Sequence, residues 1–370
     1  FIKPKHALNS VGRYKRAFGW NRRNLLCSAD TEGICLTKLN KIMDENYSHD
    51  LLIILIQQSI SIIGIILNLT VVWVTYKHKN LQSSYGLLLS VNCFCDAVLE
   101  SGTFLPTFLV LIHTKIPITY CSFATSWQSI VGAANSNFNM LFISVDRIVS
   151  LLFPIFYRFV IKKGAFKYVM ALNILSLSYC FILMIFGFNY ALDHSDIKVY
   201  CNPGEQIEGD VLSFAYYFSI VITLVTVFNY IVIGILIKLW QSGDSDFQRL
   251  QTQRIYKSLV VILFVIVFFF LAGVFCSQFI IPLMTNDPEM RFLYFRLFAQ
   301  LITISGAINA PVLYFCSSEY RTALNKEFPW IPKLFKRMPI IYPSSSIVTN
   351  VQVVTTIYPR QNPLRNKMVE

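Results

Sequence analysis

Seven long apolar stretches constrain the fold of this chain more than any other feature. They cover residues 51–76, 83–112, 121–152, 167–191, 211–239, 257–284 and 292–316, and each can supply the about 20 residues that a helix needs to cross a bilayer. Because backbone polar groups in lipid must pair within the segment, these stretches are predicted to be helices rather than strands or loops. Only 14% of the residues are charged, whereas soluble proteins have about 25%. The predicted fold class is therefore an all-α integral membrane bundle of seven transmembrane helices, which we call the first to seventh spans.

The remaining segments give the predicted domain organisation. Residues 1–50 are expected to form an extracellular N-terminal tail, of which residues 1–26 carry no helical or strand pattern. Residues 51–316 form the bundle, and residues 317–328 form a short amphipathic helix on the membrane surface after the seventh span. Residues 329–370 contain many Pro, Ser and Thr residues and are expected to be a cytoplasmic tail.

The distribution of basic residues predicts the orientation in the membrane. With the N-terminus outside, the inner connections hold ten Lys or Arg residues and the outer ones four, as the positive-inside rule requires. A glycosylation sequence at Asn46 then lies outside the first span. We therefore predict a multi-pass plasma-membrane protein with an extracellular N-terminus. The net charge of +12 is scattered over connections that face anionic lipid, so membrane lipid is a predicted partner and nucleic acid is not.

The inner end of the third span carries the strongest local motif. Asp146 and Arg147 are followed by Ile148, Pro154 and Tyr157. An arginine at the membrane edge is costly unless it is paired, and the adjoining carboxylate is expected to supply the partner. The alternative is an arginine that extends to lipid phosphate.

Polar residues inside other apolar spans form a second group of candidates. Asn68 lies in the first span and Asp96 in the second, with Glu100 one helical turn beyond Asp96. An acid within the membrane is a functional-site hypothesis, and the alternative is a hydrogen-bonded anchor between helices. Asn309 precedes Pro311 and Tyr314 in the seventh span, where the proline is expected to kink the helix.

These motifs resemble those of rhodopsin-like G-protein-coupled receptors. Asp146 to Tyr157 is similar to D-R-Y-x(5)-P-x-x-Y, with Ile148 in place of Tyr. Asn309 to Tyr314 is similar to N-P-x-x-Y, with Ala310 directly before the proline and the Asn one place early. The sequence S-S-Y-G-L-L-L-S from Ser83 to Ser90 resembles nematode serpentine chemoreceptors of the srx type. The resemblance covers roughly residues 50–328.

The resemblance implies a role for each of these residues and a heterotrimeric G protein as partner. Arg147 would leave its acidic partner on activation and face the G protein, while Tyr314 would swing. Asn68 and Asp96 would bond to one another, and Asp96 with Ser136 would help to hold a sodium ion. The resemblance also implies a disulfide between Cys121 and Cys201.

The expected ligand is a small, uncharged or weakly polar extracellular molecule. Ser129 lies where amine receptors carry an acid, and residues 297–316 contain no lysine that could hold retinal, so no cofactor is expected. The predicted pocket has a mixed aromatic and polar character and comprises Phe104, Trp127, Ser129, Tyr216 and Gln278. A basic peptide, attracted by the acidic second outer loop, is the alternative ligand. A transporter or a non-signalling relative are the rival classes, and no motif of an enzyme is found.

Overall fold

The computed structural model describes residues 32–161, 163–201, 210–240, 268–284 and 288–335. In that part of the chain the expected spans are helical. The helices are Glu32–Lys77, Ser84–Ser101, Phe104–Leu111, Ile118–Leu152, Ala165–Asp193, Asp210–Trp240, Pro288–Ala307 and Asn309–Cys316. Residues 268–275 are also helical and continue through a wider turn at Cys276–Ile280 into the helix Ile281–Met284. The chain is thus an all-α membrane bundle.

The surface of the described spans is apolar and much of the interior is polar. Four helices are long and apolar enough to cross a membrane, and the bent seventh span would be a fifth, counting described residues only. Trp73, Phe94 and Phe181 are more than half exposed. Asn68, Asp96 and many hydroxyl side chains are buried. This reversal of the pattern in soluble proteins is what a lipid solvent favours.

The first helix begins earlier than the sequence predicted. It starts at Glu32 rather than near residue 51, so residues 32–50 are helical although they were expected to belong to a tail. The segment contains no proline, and Leu, Lys, Met and Glu together make up seven of its 19 residues. These residues favour helix when a helix adjoins them.

Two spans are broken, each within one helical turn before a proline. The second span is interrupted at Gly102 and Thr103, and the seventh at Ile308. Pro106 and Pro311 have no N–H to donate to the carbonyls of Gly102 and Ala307, so the helical ladder is open there. The two parts of the seventh span meet at 40°. The kink at Pro311 was expected, whereas the break at Gly102 was not.

The third span, Ile118–Leu152, runs through the centre of the bundle. It packs against the second, fourth and fifth spans. It lies very close to the second span at Gly132, where an added Cβ would lie 2.7 Å from the Leu99 Cα. The glycine therefore permits nearly direct backbone contact between the two helices.

A disulfide joins Cys121, at the start of the third span, to Cys201 in the connection after the fourth span. The two Cα atoms are 5.3 Å apart, and both residues are fully buried with Leu109, Ile118 and Val199. Strands β1 (Ile116–Pro117) and β2 (Lys198–Val199) pair antiparallel beside the disulfide. We call this end of the bundle the Cys121 end, and the opposite one the Arg147 end.

The short helix after the seventh span forms at Ser318–Glu327, close to the predicted 317–328. We call it the 318–327 helix. Tyr320 is 2% exposed, and its hydroxyl lies 3.1 Å from the Thr75 hydroxyl. Glu327 accepts hydrogen bonds from Lys77 at 2.6 Å and from His78 at 3.1 Å. The helix is therefore attached to the Arg147 end of the first span. Residues 328–370 form a separate unit, and its described residues, 328–335, include the helix Ile331–Phe335.

Candidate functional site

Asp96 is the centre of a buried polar network between the second, third and seventh spans. Its Oδ1 accepts a hydrogen bond from the Ser136 hydroxyl at 2.7 Å. Its Oδ2 accepts from Asn92 Nδ2 at 2.9 Å and from Asn309 Nδ2 at 2.7 Å. Three donors thus stabilise one buried carboxylate. The structure brings together the predicted residues Asp96, Ser136 and Asn309.

Asn309 reaches Asp96 although it stands one place earlier than the family pattern has it. The helix breaks at Ile308, directly before Asn309, so the register of the following turn differs from that of a continuous helix. The offset relative to Pro311 therefore does not remove the side chain from the network.

The resemblance implied a hydrogen bond between Asn68 and Asp96, but the two side chains do not form one. Its Nδ2 donates instead to the backbone carbonyl of Gly306 in the seventh span, at 3.1 Å. Asn92, one turn before Asp96 on the same helix face, occupies the Asp96 oxygen instead. The sequence analysis did not single out Asn92, although its i, i+4 spacing from Asp96 was a usable signal.

A cavity of about 50 Å³ lies beside this network. Residues of the second, third, fifth, sixth and seventh spans line it, among them Asp96, Ser136, Thr226, Phe270 and Gly306. A volume of that size holds a few water molecules, whereas ligand pockets measure roughly 300 Å³ or more. Because the cavity is small and lies beside polar side chains, we expect it to hold water rather than a ligand.

The four predicted pocket residues whose side chains the structure describes do not line this cavity. Phe104 and Trp127 are each 43% exposed, and Ser129 and Tyr216 are half-buried. The side chain of Gln278 lies outside the described part of the structure. The pocket stays a prediction.

Asp146 is fully buried at the Arg147 end. It is hydrogen-bonded to the connection that follows the third span. Its Oδ2 accepts from the Tyr157 hydroxyl at 3.1 Å, and that hydroxyl lies 2.6 Å from the Ser84 hydroxyl of the second span. Burial, and then the charge of Asp146, raise the pKa of Tyr157, so the phenol remains a donor at neutral pH. Pro154 begins the turn that carries Tyr157 to this position.

Arg147 does not form the expected ion pair with Asp146. In the described part of the chain the ion pairs all involve Glu327. The Arg147 guanidinium lies instead over the ring of Tyr85, 3.8 Å from its centroid, which is a favourable cation–π contact. Consecutive residues point about 100° apart around a helix, because one turn takes 3.6 residues, so separate partners for the two side chains are geometrically natural.

Apolar side chains surround this arginine. Ile148, which replaces the tyrosine of the family pattern, packs with Tyr85 and Leu151 against a cluster of Tyr230, Ile233 and Ile237. Tyr230 is 5% exposed. Tyr85 and Ser84 were missed as individual candidates, although both lie within the motif that carried the subfamily resemblance.

Pro311 and Tyr314 lie on the Arg147 side of the break in the seventh span. Tyr314 is 8% exposed, and its ring packs edge-on against Phe315 with centroids 5.4 Å apart. The remaining predicted residue, Asn46, falls within the helix Glu32–Lys77, and its side chain lies outside the described part.

The comparison with protein families gives a match over most of the chain. Residues 61–328 match the model of the serpentine type 7TM GPCR chemoreceptor Srsx. A search of curated proteins gives no match. The expectation of a nematode serpentine chemoreceptor is thereby confirmed, with Srsx as the matching family where the sequence resemblance suggested srx. The chain belongs to the Srsx family of seven-transmembrane G-protein-coupled chemoreceptors.

Proposed function

We propose that this receptor lies in the plasma membrane with its N-terminus outside, binds an extracellular small molecule and activates a heterotrimeric G protein. The Cys121 end would then face the outside and the Arg147 end the cytoplasm. The observation that carries the proposal is the contact between Arg147 and Tyr85. It holds a cation at the bundle end without an ion pair to the adjacent acid.

The contact between Arg147 and Tyr85 can serve as a switch between two states, one in which the ring covers the guanidinium and one in which the guanidinium is free. In the described arrangement Tyr85 covers the guanidinium, and Tyr157 occupies the carboxylate of Asp146. A movement of the inner parts of the spans would free Arg147 for a partner without breaking a buried ion pair. A cation–π contact of about 0.5–2 kcal/mol is small enough for a ligand with unequal affinity for the two states to overcome.

The polar network and the kink support a path between the two ends. Asn309 joins Asp96 to the seventh span two residues before Pro311, so a shift of the second or third span would reach the kink that precedes Tyr314. A sodium ion held by Asp96 and Ser136 is part of this proposal.

Second-messenger signalling in cultured cells tests the proposal. The wild type and Arg147→Ala would be expressed with a promiscuous G protein at equal surface amounts and exposed to a panel of odorants and peptides. Arg158→Ala is the matched control, because Arg158 is an exposed cation of the inner connection. We expect a response to a small molecule that Arg147→Ala loses at least tenfold and Arg158→Ala keeps.

Other results would change the proposal in distinct ways. A response that survives in Arg147→Ala would remove the arginine from its role. A response to basic peptides alone would replace the small-molecule ligand with a peptide. A surface-exposed wild type that raises no basal or evoked signal with any G protein would favour a non-signalling relative.

A further inference from the structure

Gln300, in the seventh span, is a buried amide whose hydrogen-bonding groups are unused. It is 8% exposed, and neither its Nε2 nor its Oε1 has a hydrogen-bond partner within the described part of the chain. Leaving a buried polar group unpaired costs about 1–3 kcal/mol, and most buried polar groups in proteins are paired. The Gln300 amide is therefore a candidate contact for a bound molecule.

A second glutamine with an unused donor lies in the first span. The Gln58 Oε1 accepts a hydrogen bond from the Thr103 hydroxyl at 3.5 Å, whereas its buried Nε2 has no partner among the described groups. Thr103 lies at the break of the second span, where Pro106 has no N–H to donate to the Gly102 carbonyl. Gln58 therefore faces a part of the second span whose backbone ladder is open.

The two glutamines lie at about the same height in the bundle. Gly64 and Gly306 both lie against Glu100, since an added Cβ would be 2.6 Å from its Cδ and 3.1 Å from its Oε1, respectively. Each glutamine comes six residues before one of these glycines, which is about 9 Å along a helix. The first and seventh spans run in the same direction and pack against each other. Both amides therefore belong to one region, on the Cys121 side of Glu100.

The unused groups of this region match an amide. Each glutamine Nε2 carries two N–H donors, and the Gln300 Oε1 is an acceptor. A carboxamide or a lactam presents a carbonyl oxygen beside an N–H, so it can accept from one amide and donate to the other. An ester or a ketone has no donor and would leave the Gln300 Oε1 unpaired, at the cost given above.

The charges nearby favour an uncharged ligand. Arg296 lies one turn nearer the Cys121 end on the same helix face as Gln300 and is 8% exposed. It is already engaged, so it does not call for an anion, and its charge would repel an ammonium group. A carboxylate would approach the buried acid Glu100. An amide avoids both repulsions.

We infer that Gln300 and Gln58 bind the amide group of a small uncharged molecule between the first, second and seventh spans. Neither residue belongs to the pocket predicted from the sequence. The inference rests on the proposed function in one respect, namely that the molecule is the ligand of the receptor. Binding is measured without a G protein, so a failure of binding and a failure of signalling are seen separately.

Thermal unfolding of the purified full-length protein in detergent tests the site with ring-matched pairs. γ-Butyrolactam, δ-valerolactam and ε-caprolactam would each be compared with the lactone of the same ring size at equal concentration. A ligand that binds only the folded state stabilises it, so we expect at least one lactam to raise the midpoint by about 2 °C or more above its lactone. Gln300→Met removes both hydrogen-bonding groups at similar size and should abolish this difference. Gln58→Met should reduce it.

Gln57→Met is the matched control and should keep the difference, because Gln57 is the adjacent half-buried glutamine and points about 100° away around the helix. Without ligand, Gln300→Met should unfold no lower than the wild type, since it removes an unpaired buried amide. A lower midpoint, or a variant that cannot be purified folded, would assign Gln300 a structural role and overturn the inference. It would also be overturned by a difference that survives in Gln300→Met or is lost in Gln57→Met. Equal shifts with lactam and lactone would exclude the amide, and no shift with any lactam would leave only bound water.

Discussion

Asp146 and Arg147 are consecutive in the chain, yet each has partners on a different element. The carboxylate faces Tyr157 of the inner connection, and the guanidinium faces Tyr85 of the second span. An ion pair between neighbours on a helix would hold the third span only to itself. These two contacts instead join the third span to two other elements, so a movement of either element changes the environment of the arginine.

Replacing Tyr85 should release the arginine. Tyr85→Leu removes the aromatic face, and we expect basal signalling at equal surface amounts to rise about fivefold, which corresponds to about 1 kcal/mol of lost cation–π energy. Tyr85→Phe keeps the ring and should stay near the wild-type level. Equal basal signals in Leu and Phe variants would contradict a restraining role for the ring.

Removing the Tyr157 hydroxyl should destabilise the receptor through Asp146. Tyr157→Phe leaves the buried Asp146 Oδ2 without this donor, at a cost of about 1–3 kcal/mol. We expect a lower unfolding midpoint in detergent. Tyr120→Phe is the control, because Tyr120 is 70% exposed and should unfold as the wild type does. Indistinguishable midpoints for the two variants would mean that the Ser84 hydroxyl alone satisfies the acid.

The motifs predicted which residues are functional candidates better than they predicted their partners. The intramembrane polar pattern and the family resemblance singled out Asp96, Ser136 and Asn309, and their side chains do meet. Asn68 was given Asp96 as its partner and bonds to Gly306 instead. The choice depends on how closely the seventh span approaches the first, which is set by glycines and a helix break and which no motif spacing contains.

The prolines and the breaks show the same limit for whole elements. Pro311 was recognised as a kink because it lies in a motif, whereas the break at Gly102 near Pro106 was predicted as continuous helix. Both breaks follow from the missing N–H of a proline. The break near Pro106 could therefore have been predicted from the sequence as well. The early start of the first helix at Glu32 was missed because residues 32–50 are too polar to belong to an apolar span.

The 318–327 helix should respond to acid. The hydrogen bond from Lys77 lowers the pKa of Glu327, so this charge contributes to the attachment above the ordinary glutamate pKa of about 4.3 and ceases to do so as the pH falls through the lowered value. We expect a spin label at Thr322→Cys to become more mobile below that pH. Glu327→Gln should show the mobile spectrum already at neutral pH.

A matched substitution separates the contact from general charge effects. Glu319 lies on the same helix, and Glu319→Gln should keep the wild-type spectrum at neutral pH because the described ion pairs involve Glu327 and not Glu319. Tyr320 packed beside Thr75 should keep the helix folded in all three proteins. A label equally mobile in both Gln variants would show that the ion pair does not hold the helix.

At the scale of the whole molecule, the lengths of the apolar stretches were enough to predict the class of fold. They could not predict which spans are neighbours in the bundle. Length predicted the spans to within a few residues at most ends, because the bilayer fixes how long an apolar helix must be. The sequence contained no measure of inter-helix distance, so the fit of Gly132 against Leu99 and of Gly64 against Glu100 required coordinates.

The orientation of the whole molecule can be tested at its two glycosylation sequences. Asn46-Tyr47-Ser48 precedes the membrane-crossing part Leu51–Lys77, and Asn68-Leu69-Thr70 lies within it. If the N-terminus is outside, Asn46 alone is accessible to the glycosylation machinery. We expect Ser48→Ala to lose the glycosidase-sensitive form on an electrophoresis gel and Thr70→Ala to keep it, since Asn68 is fully buried and bonded to Gly306.

An N-terminal epitope tag detected on unpermeabilised cells gives an independent measure of the same orientation. Detection only after permeabilisation, together with unglycosylated wild type, would place the N-terminus and the Cys121 end inside the cell, and Arg147 could then not meet a cytoplasmic G protein.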